Sequence, residues 1–207
     1  MSRVVRWAAA GLAVAGVVAA VLVSRHTTAR TVNAAVSARQ PTLADEADLA
    51  VLASGPAPSI EEAAEWLNTA GVTDASLRGK VVLYDFWTFA CINCQHTLSH
   101  VKAWQQRYSK DGLTIISIHT PEFDFEAVPD NVADYVTENG ITYPVALDPE
   151  RHVWHTWDNH YWPAFYLYDS EGHLRVRHFG EGAYDSTEDA IRVLLGVDPA
   201  STRADAT

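Results

Sequence analysis

Residues 81–94 read VVLYDFWTFACINC, and this stretch decides the fold. Val81 to Phe86 is a run of β-branched and aromatic residues directly after the turn Arg78-Gly79-Lys80. It reads as a strand buried on both faces. Beyond it, Ile92, Leu98, Val101 and Trp104 recur at helical spacing, so Cys91 to Tyr108 reads as a helix that Ser109-Lys110-Asp111-Gly112 ends. The chain's two cysteines, Cys91 and Cys94, therefore fall where the C-terminal end of a strand passes into the N-terminus of a helix. In α/β sheets that is where ligands and chemistry collect.

A helix N-terminus presents free N–H groups and partial positive charge, and both favour a thiolate. Cys91 is expected at the mouth and exposed, with Cys94 one turn deeper and shielded. A Cys91 thiolate can attack a disulfide in another protein. Cys94 can then attack the mixed disulfide, release the reduced partner and leave a Cys91–Cys94 disulfide. Three duller readings compete. A purely structural disulfide across so short a loop adds little stability, because closure entropy grows with loop length. Zinc needs two further ligands, which His96, His100 or His119 would have to supply. Haem attachment requires a histidine directly after the second cysteine, where Gln95 stands. No metal and no cofactor is expected.

Working outward, Leu113 to His119 is a second buried strand, VPDNVADYVTENG a helix, YPVALD a short strand, and PERHVWHTWD a short helix with Pro149 in its first turn. AFYLYD and LRVRHFG are strands joined by the turn Ser170-Glu171-Gly172-His173. STEDAIRVLLG is a closing helix, capped by Ser186 or Thr187 and stopped by Gly196. This order gives an α/β fold, a central mixed sheet with helices on both faces and an antiparallel edge.

The composition is 48% hydrophobic and 20% charged, which is globular, and the formal net charge of −11 argues against nucleic acid as a partner. Seven tryptophans and eight tyrosines imply a thick core or an exposed docking groove. Arg3 and Arg6 precede an uncharged apolar run from Trp7 to Val23, which reads as a membrane-targeting segment. A retained single-span anchor with its N-terminus in the cytoplasm is expected; cleavage after Val36-Ser37-Ala38, giving a secreted or periplasmic protein, is the alternative. The expected organisation is an anchor over 1–26, a flexible linker over 27–59, the folded domain over 60–198 and a disordered tail over 199–207.

The cysteine stretch resembles the active-site strand and turn of thioredoxin-like proteins. With LRGKVVLYDFWTFACINC, IHTPEF, YWPAFYLYD and GEGAY, it resembles the extracytoplasmic TlpA/ResA-type branch, and above all the soluble domain of DipZ-like proteins. The resemblance covers roughly the last two thirds of the chain. It implies a thioredoxin-like fold, with Cys91 attacking and Cys94 resolving. It also makes Asp85 the buried acid that accepts the Cys94 proton, Trp87 the tryptophan beside the site and Pro163 a cis-proline facing the cysteines. Glu122 matches an acidic position near the site in several relatives. Phe89, Tyr161 and Trp162, with Trp87, would form an apolar rim for the partner peptide. Relatives carry a proline five residues after the second cysteine, where Ser99 stands, so a straighter helix is expected.

The implied function is reduction of disulfide-bearing proteins outside the cytoplasm, with recharging by a membrane electron donor or a thioredoxin-type reductant. Two alternatives stand beside it. A peroxiredoxin-type thiol peroxidase would use Thr88, three residues before Cys91, although Tyr84 stands where that family has proline. A copper or zinc chaperone would use Cys91, Cys94 and a histidine. The histidines 96, 100, 152, 155 and 160 read as surface or capping residues, but His96 could lower the Cys91 pKa if it turned toward the pair.

Overall fold

The computed structural model describes residues 49–198 and 200–206. The expected anchor over 1–26 lies outside the described residues; among those described, no helix is long and apolar enough to cross a membrane.

In chain order the elements are β1 (Glu65–Leu67), α1 (Asp74–Leu77), β2 (Val81–Trp87), α2 (Ile92–Tyr108), β3 (Leu113–His119), α3 (Pro129–Glu138), β4 (Val145–Leu147), α4 (His152–Thr156), β5 (Ala164–Tyr168), β6 (Leu174–Phe179) and α5 (Tyr184–Leu194). They build one sheet of order β1-β4-β3-β2-β5-β6. β2 lies parallel to β3 from Val81 opposite Leu113 to Trp87 opposite His119, and antiparallel to β5. β3 and β4 are parallel, while β1 and β6 add antiparallel edges. The mixed sheet matches the expectation; the three-residue β1 was not anticipated.

Strand alternation sorts β2 onto two faces. Val81, Leu83 and Trp87 point into a core that includes Val101, Trp104 and Tyr108 of α2, Val132 and Val136 of α3, and Ala190 and Ile191 of α5. Val82, Tyr84 and Phe86 point the other way, toward Leu77 of α1 and Val153 and Trp154 of α4. Trp157 fills this second core, with its ring centroid 4.5 Å from Tyr84, 5.3 Å from Phe86 and 5.2 Å from Tyr166. Much of the aromatic excess is therefore packing. Three polar side chains, Asp85, Ser117 and His119, sit in buried positions among the mostly apolar residues of β2 and β3.

Several expectations need correction. The linker placed over 27–59 is packed at its end: Leu49 is buried, Leu52 N–H donates to Leu174 O at 2.8 Å, Leu174 N–H donates to Ala53 O at 2.8 Å, and Arg175 Nη2 donates to Leu49 O. In the tail placed over 199–207, Ala204 N–H donates to Glu188 Oε1 and Arg203 pairs with Asp189. α5 begins at Tyr184, earlier than expected; Ser186 and Thr187 lie inside its first turn, and the Ser186 hydroxyl donates to Ala183 O. α4 begins at His152, beyond Pro149, and follows Arg151 in the left-handed region at φ 61°. Asp148 accepts from Val153 N–H and Trp154 N–H and so satisfies the first turn of α4.

Candidate active site

β2 delivers the chain to the end of the sheet at Trp87, and α2 carries it away from Ile92. Cys91 is the N-cap of α2, half-buried, with β-region backbone; Cys94 lies inside the first turn and is 3% exposed. Both are free thiols. Cys94 N–H donates to Cys91 Sγ at 3.3 Å, and Gln95 N–H closes the first helical turn on Cys91 O.

This geometry separates the two thiols. Hydrogen bonding from the Cys94 side chain, with N–H groups of Cys94 and Asn93, brings Cys91 down to about 7, against burial and the charge of Glu122. Burial drives Cys94 far up; donation to Cys91 and the charges of Cys91 and Asp85 push the same way. One exposed sulfur ionises near neutrality, and one sealed sulfur keeps its proton.

Asp85, inside β2, is 4% exposed. Its Oδ2 accepts from Ser117 Oγ at 3.3 Å, and its Oδ1 is buried with no hydrogen-bond partner among the described residues. Desolvation lifts it from 3.8 to about 7; Ser117 opposes the shift and Cys91 adds to it. The Asp85 charge also reaches Cys94 and Tyr143. The carboxyl therefore changes charge near neutrality, within electrostatic reach of both cysteines.

The loop between β2 and α2 is held by a residue that the sequence did not single out. Glu126 is 1% exposed. Its Oε1 accepts from Thr88 Oγ1 at 2.5 Å and Ala90 N–H at 2.8 Å, and its Oε2 accepts from Glu122 N–H at 2.8 Å and Phe123 N–H at 2.9 Å. Burial raises its pKa, but these four donors outweigh burial and hold it low. Gln95 Nε2 also donates to Phe89 O at 2.9 Å, and Thr120 N–H to Trp87 O at 3.0 Å. Glu122 is exposed, and its effect on Cys91 opposes the thiolate. The buried acid of this loop is Glu126, while Glu122 lies at its surface within electrostatic reach of Cys91.

The expected rim divides. Trp87 is 5% exposed and belongs to the core, edge-on to His119 at 5.0 Å. Phe89 is half-buried and stacks on His119 and Tyr135 at 5.5 and 5.6 Å. Burial holds His119 down at about 4, so it stays a neutral ring. Trp162 is half-buried, donates Nε1–H to Thr120 O at 3.0 Å and lies 4.2 Å from Trp154. Trp162-Pro163 is cis, as expected, and Pro163 is buried. Tyr161 is 52% exposed and packs on Phe179 at 4.7 Å. His96 faces Glu181 at 2.8 Å and not the cysteines. The Thr88 hydroxyl is committed to Glu126, which leaves it unsuited to the peroxidase role. Among the described residues, no three His, Cys, Asp or Glu side chains converge as a metal site.

Residues 54–177 match the AhpC/TSA family. Protein DipZ of Mycobacterium tuberculosis (strain CDC 1551 / Oshkosh) is 49% identical over 144 residues, which cover 68% of this chain; the chain spans 21% of DipZ's length. Thiol-disulfide oxidoreductase YkuV of Bacillus subtilis (strain 168) is 28% identical over 127 residues, covering 61% of this chain and 84% of YkuV. The solution structure of a thioredoxin-like protein in the oxidised form superposes with a TM-score of 0.61 at 28% identity, covering 68% of this chain and 95% of that one.

Proposed function

From the premise that this chain belongs to the AhpC/TSA family, as a thiol–disulfide oxidoreductase of thioredoxin-like fold, we propose that it is anchored in the membrane and reduces disulfides of partner proteins outside the cytoplasm. The observation that carries this reading is the unequal pair, with Cys91 half-exposed and lowered to about 7 and Cys94 sealed beneath it.

In the forward step, Cys91 thiolate attacks one sulfur of the partner disulfide. A bond forms to that sulfur, the partner's S–S bond breaks, and its other sulfur leaves as thiolate. Cys94 then gives its proton to the Asp85 carboxylate and attacks Cys91 Sγ. The Cys91–Cys94 bond forms and the second partner sulfur leaves, so two electrons have passed from dithiol to partner. A base with a pKa of about 7 is matched to that transfer near neutral pH. Recharging needs two electrons from a membrane donor or a thioredoxin-type dithiol. Phe89, Trp162 and Pro163 are assigned to the partner-binding side.

The direction is supported by the value at Cys91. A thiol near 7 accompanies the thioredoxin type of site, whereas the strong oxidant DsbA lies at ~3.5. Equilibration with glutathione buffers is expected to give a potential nearer about −270 mV than about −120 mV. A value at the oxidising end overturns the reductive assignment. The anchor rests on the run Trp7 to Val23: cell fractionation should find full-length protein in the membrane, and soluble protein beginning near Arg39 excludes it.

A further inference from the structure

Phe123 and Phe125 are 50% and 51% exposed, yet their rings stack at 5.7 Å with planes 5° apart. Phe125 lies 5.7 Å from Phe89, and Phe89 stacks on buried His119. An aromatic ladder thus runs from open surface to the loop that carries Cys91. Large apolar side chains held together in water cost free energy unless something covers them in use.

The ladder is tied to the cysteine loop by one carboxylate. Oε1 of Glu126 takes both its donors from Thr88 and Ala90, just before Cys91, and Oε2 takes both from Glu122 and Phe123, at the foot of the ladder. A carboxylate can accept on both oxygens, whereas an amide has one accepting oxygen and turns N–H groups toward the other two donors. Glu122 and Asp124 are exposed on the same turn, so the apolar surface is flanked by negative charge.

We propose that the Phe123–Phe125 ladder is the surface that receives the segment flanking a substrate's disulfide, that this segment carries an apolar side chain next to a basic one, and that Glu126 is the positioning residue that fixes the ladder relative to Cys91. This rests on the oxidoreductase reading above. Bound there, the basic residue neutralises Glu122, the charge that opposes the Cys91 thiolate.

The test uses the full chain and three probes: two matched peptides with one internal disulfide, flanked by Phe and Lys in one and by Ser and Glu in the other, and dithiodipyridine, too small to span the ladder. Wild type should favour the Phe/Lys peptide by about tenfold in kcat/KM. Glu126→Gln should lower kcat/KM for that peptide several-fold more than it lowers the dithiodipyridine rate, because it loosens the ladder as well as the cysteine loop. Phe123→Ser combined with Phe125→Ser, surface changes that leave the core alone, should abolish the preference. Adding Glu126→Gln to that pair should cost little more, because coupled sites are non-additive. Equal loss on peptide and dithiodipyridine, additive effects, or no peptide preference in wild type overturns the proposal. A wild type that reduces dithiodipyridine but shows no preference sinks the ladder alone; one that reduces none of the three sinks the oxidoreductase reading and the ladder with it.

Discussion

The backbone N–H of Cys94 points at the sulfur of Cys91 from 3.3 Å, so one member of the pair stabilises the thiolate of the other. Cys91 should therefore be alkylated with a midpoint at about pH 7, below the ~8.5 of a free cysteine. Cys94 should stay unmodified until the protein is denatured. Stopped-flow alkylation followed by peptide mapping reads both, and prior modification of Cys94 in the native state would contradict the order.

Removing the resolving thiol should leave the first attack intact and block release. Cys94→Ser is expected to accumulate mixed disulfides that mild reductant dissolves, and Cys91→Ser to accumulate none. Non-reducing gels of cells expressing each variant decide it, and mass spectrometry of the adducts names the partners. Trapping by Cys91→Ser alone would reverse the two roles.

Asp85→Asn removes the proton acceptor, so resolution should slow by about 10²–10⁴-fold while formation of the mixed disulfide changes little. Stability should move in the other direction. Folding raises Asp85 from 3.8 to about 7, so its favourable contribution is complete below its ordinary value and is lost as pH rises through about 7. The asparagine variant should match wild type near pH 4 and gain a progressively higher Tm up to pH 8. A constant Tm difference across that range would mean that Asp85 is not desolvated.

Arg175 Nη1 pairs with buried Asp169 at 2.8 Å, and its Nη2 reaches Leu49 O. Arg175→Ala takes the guanidinium from a buried carboxylate that keeps only the N–H groups of Glu171 and His173 and the His173 ring, at a cost of up to about 3–5 kcal/mol. It should also free the segment around Leu49 to proteolysis. Urea denaturation and limited digestion measure the two effects, and a loss below about 1 kcal/mol would show the pair to be dispensable.

The central strands were legible because burial on both faces forces unbroken apolar runs, and the cysteine pair because its chemistry needs a strand-to-helix junction. Trp87 lies in the core and not on the rim for a reason present in the strand: it shares parity with Leu83 and Asp85, and alternation turns all three to one side. Glu126 was hidden for a different reason. Glu122, Asp124 and Glu126 sit in one acidic loop, and only the three-dimensional turn decides which carboxylate meets four donors. β1 is three residues long and pairs with a strand about eighty positions away, so local pattern carries little trace of it. The segment from Leu49 to Ala53 reads as linker by composition, since its order comes from one buried leucine, the reach of Arg175 and two backbone bonds to Leu174, none of which leaves a local pattern.

Those bonds have a consequence for self-association. An open strand edge offers unpaired N–H and C=O groups to any passing chain. Here one margin of the sheet is the stubby β1, and at the other the strap across Leu174 occupies backbone groups that an intruder would need. At Leu174, therefore, an added strand would find the backbone groups it needs already taken.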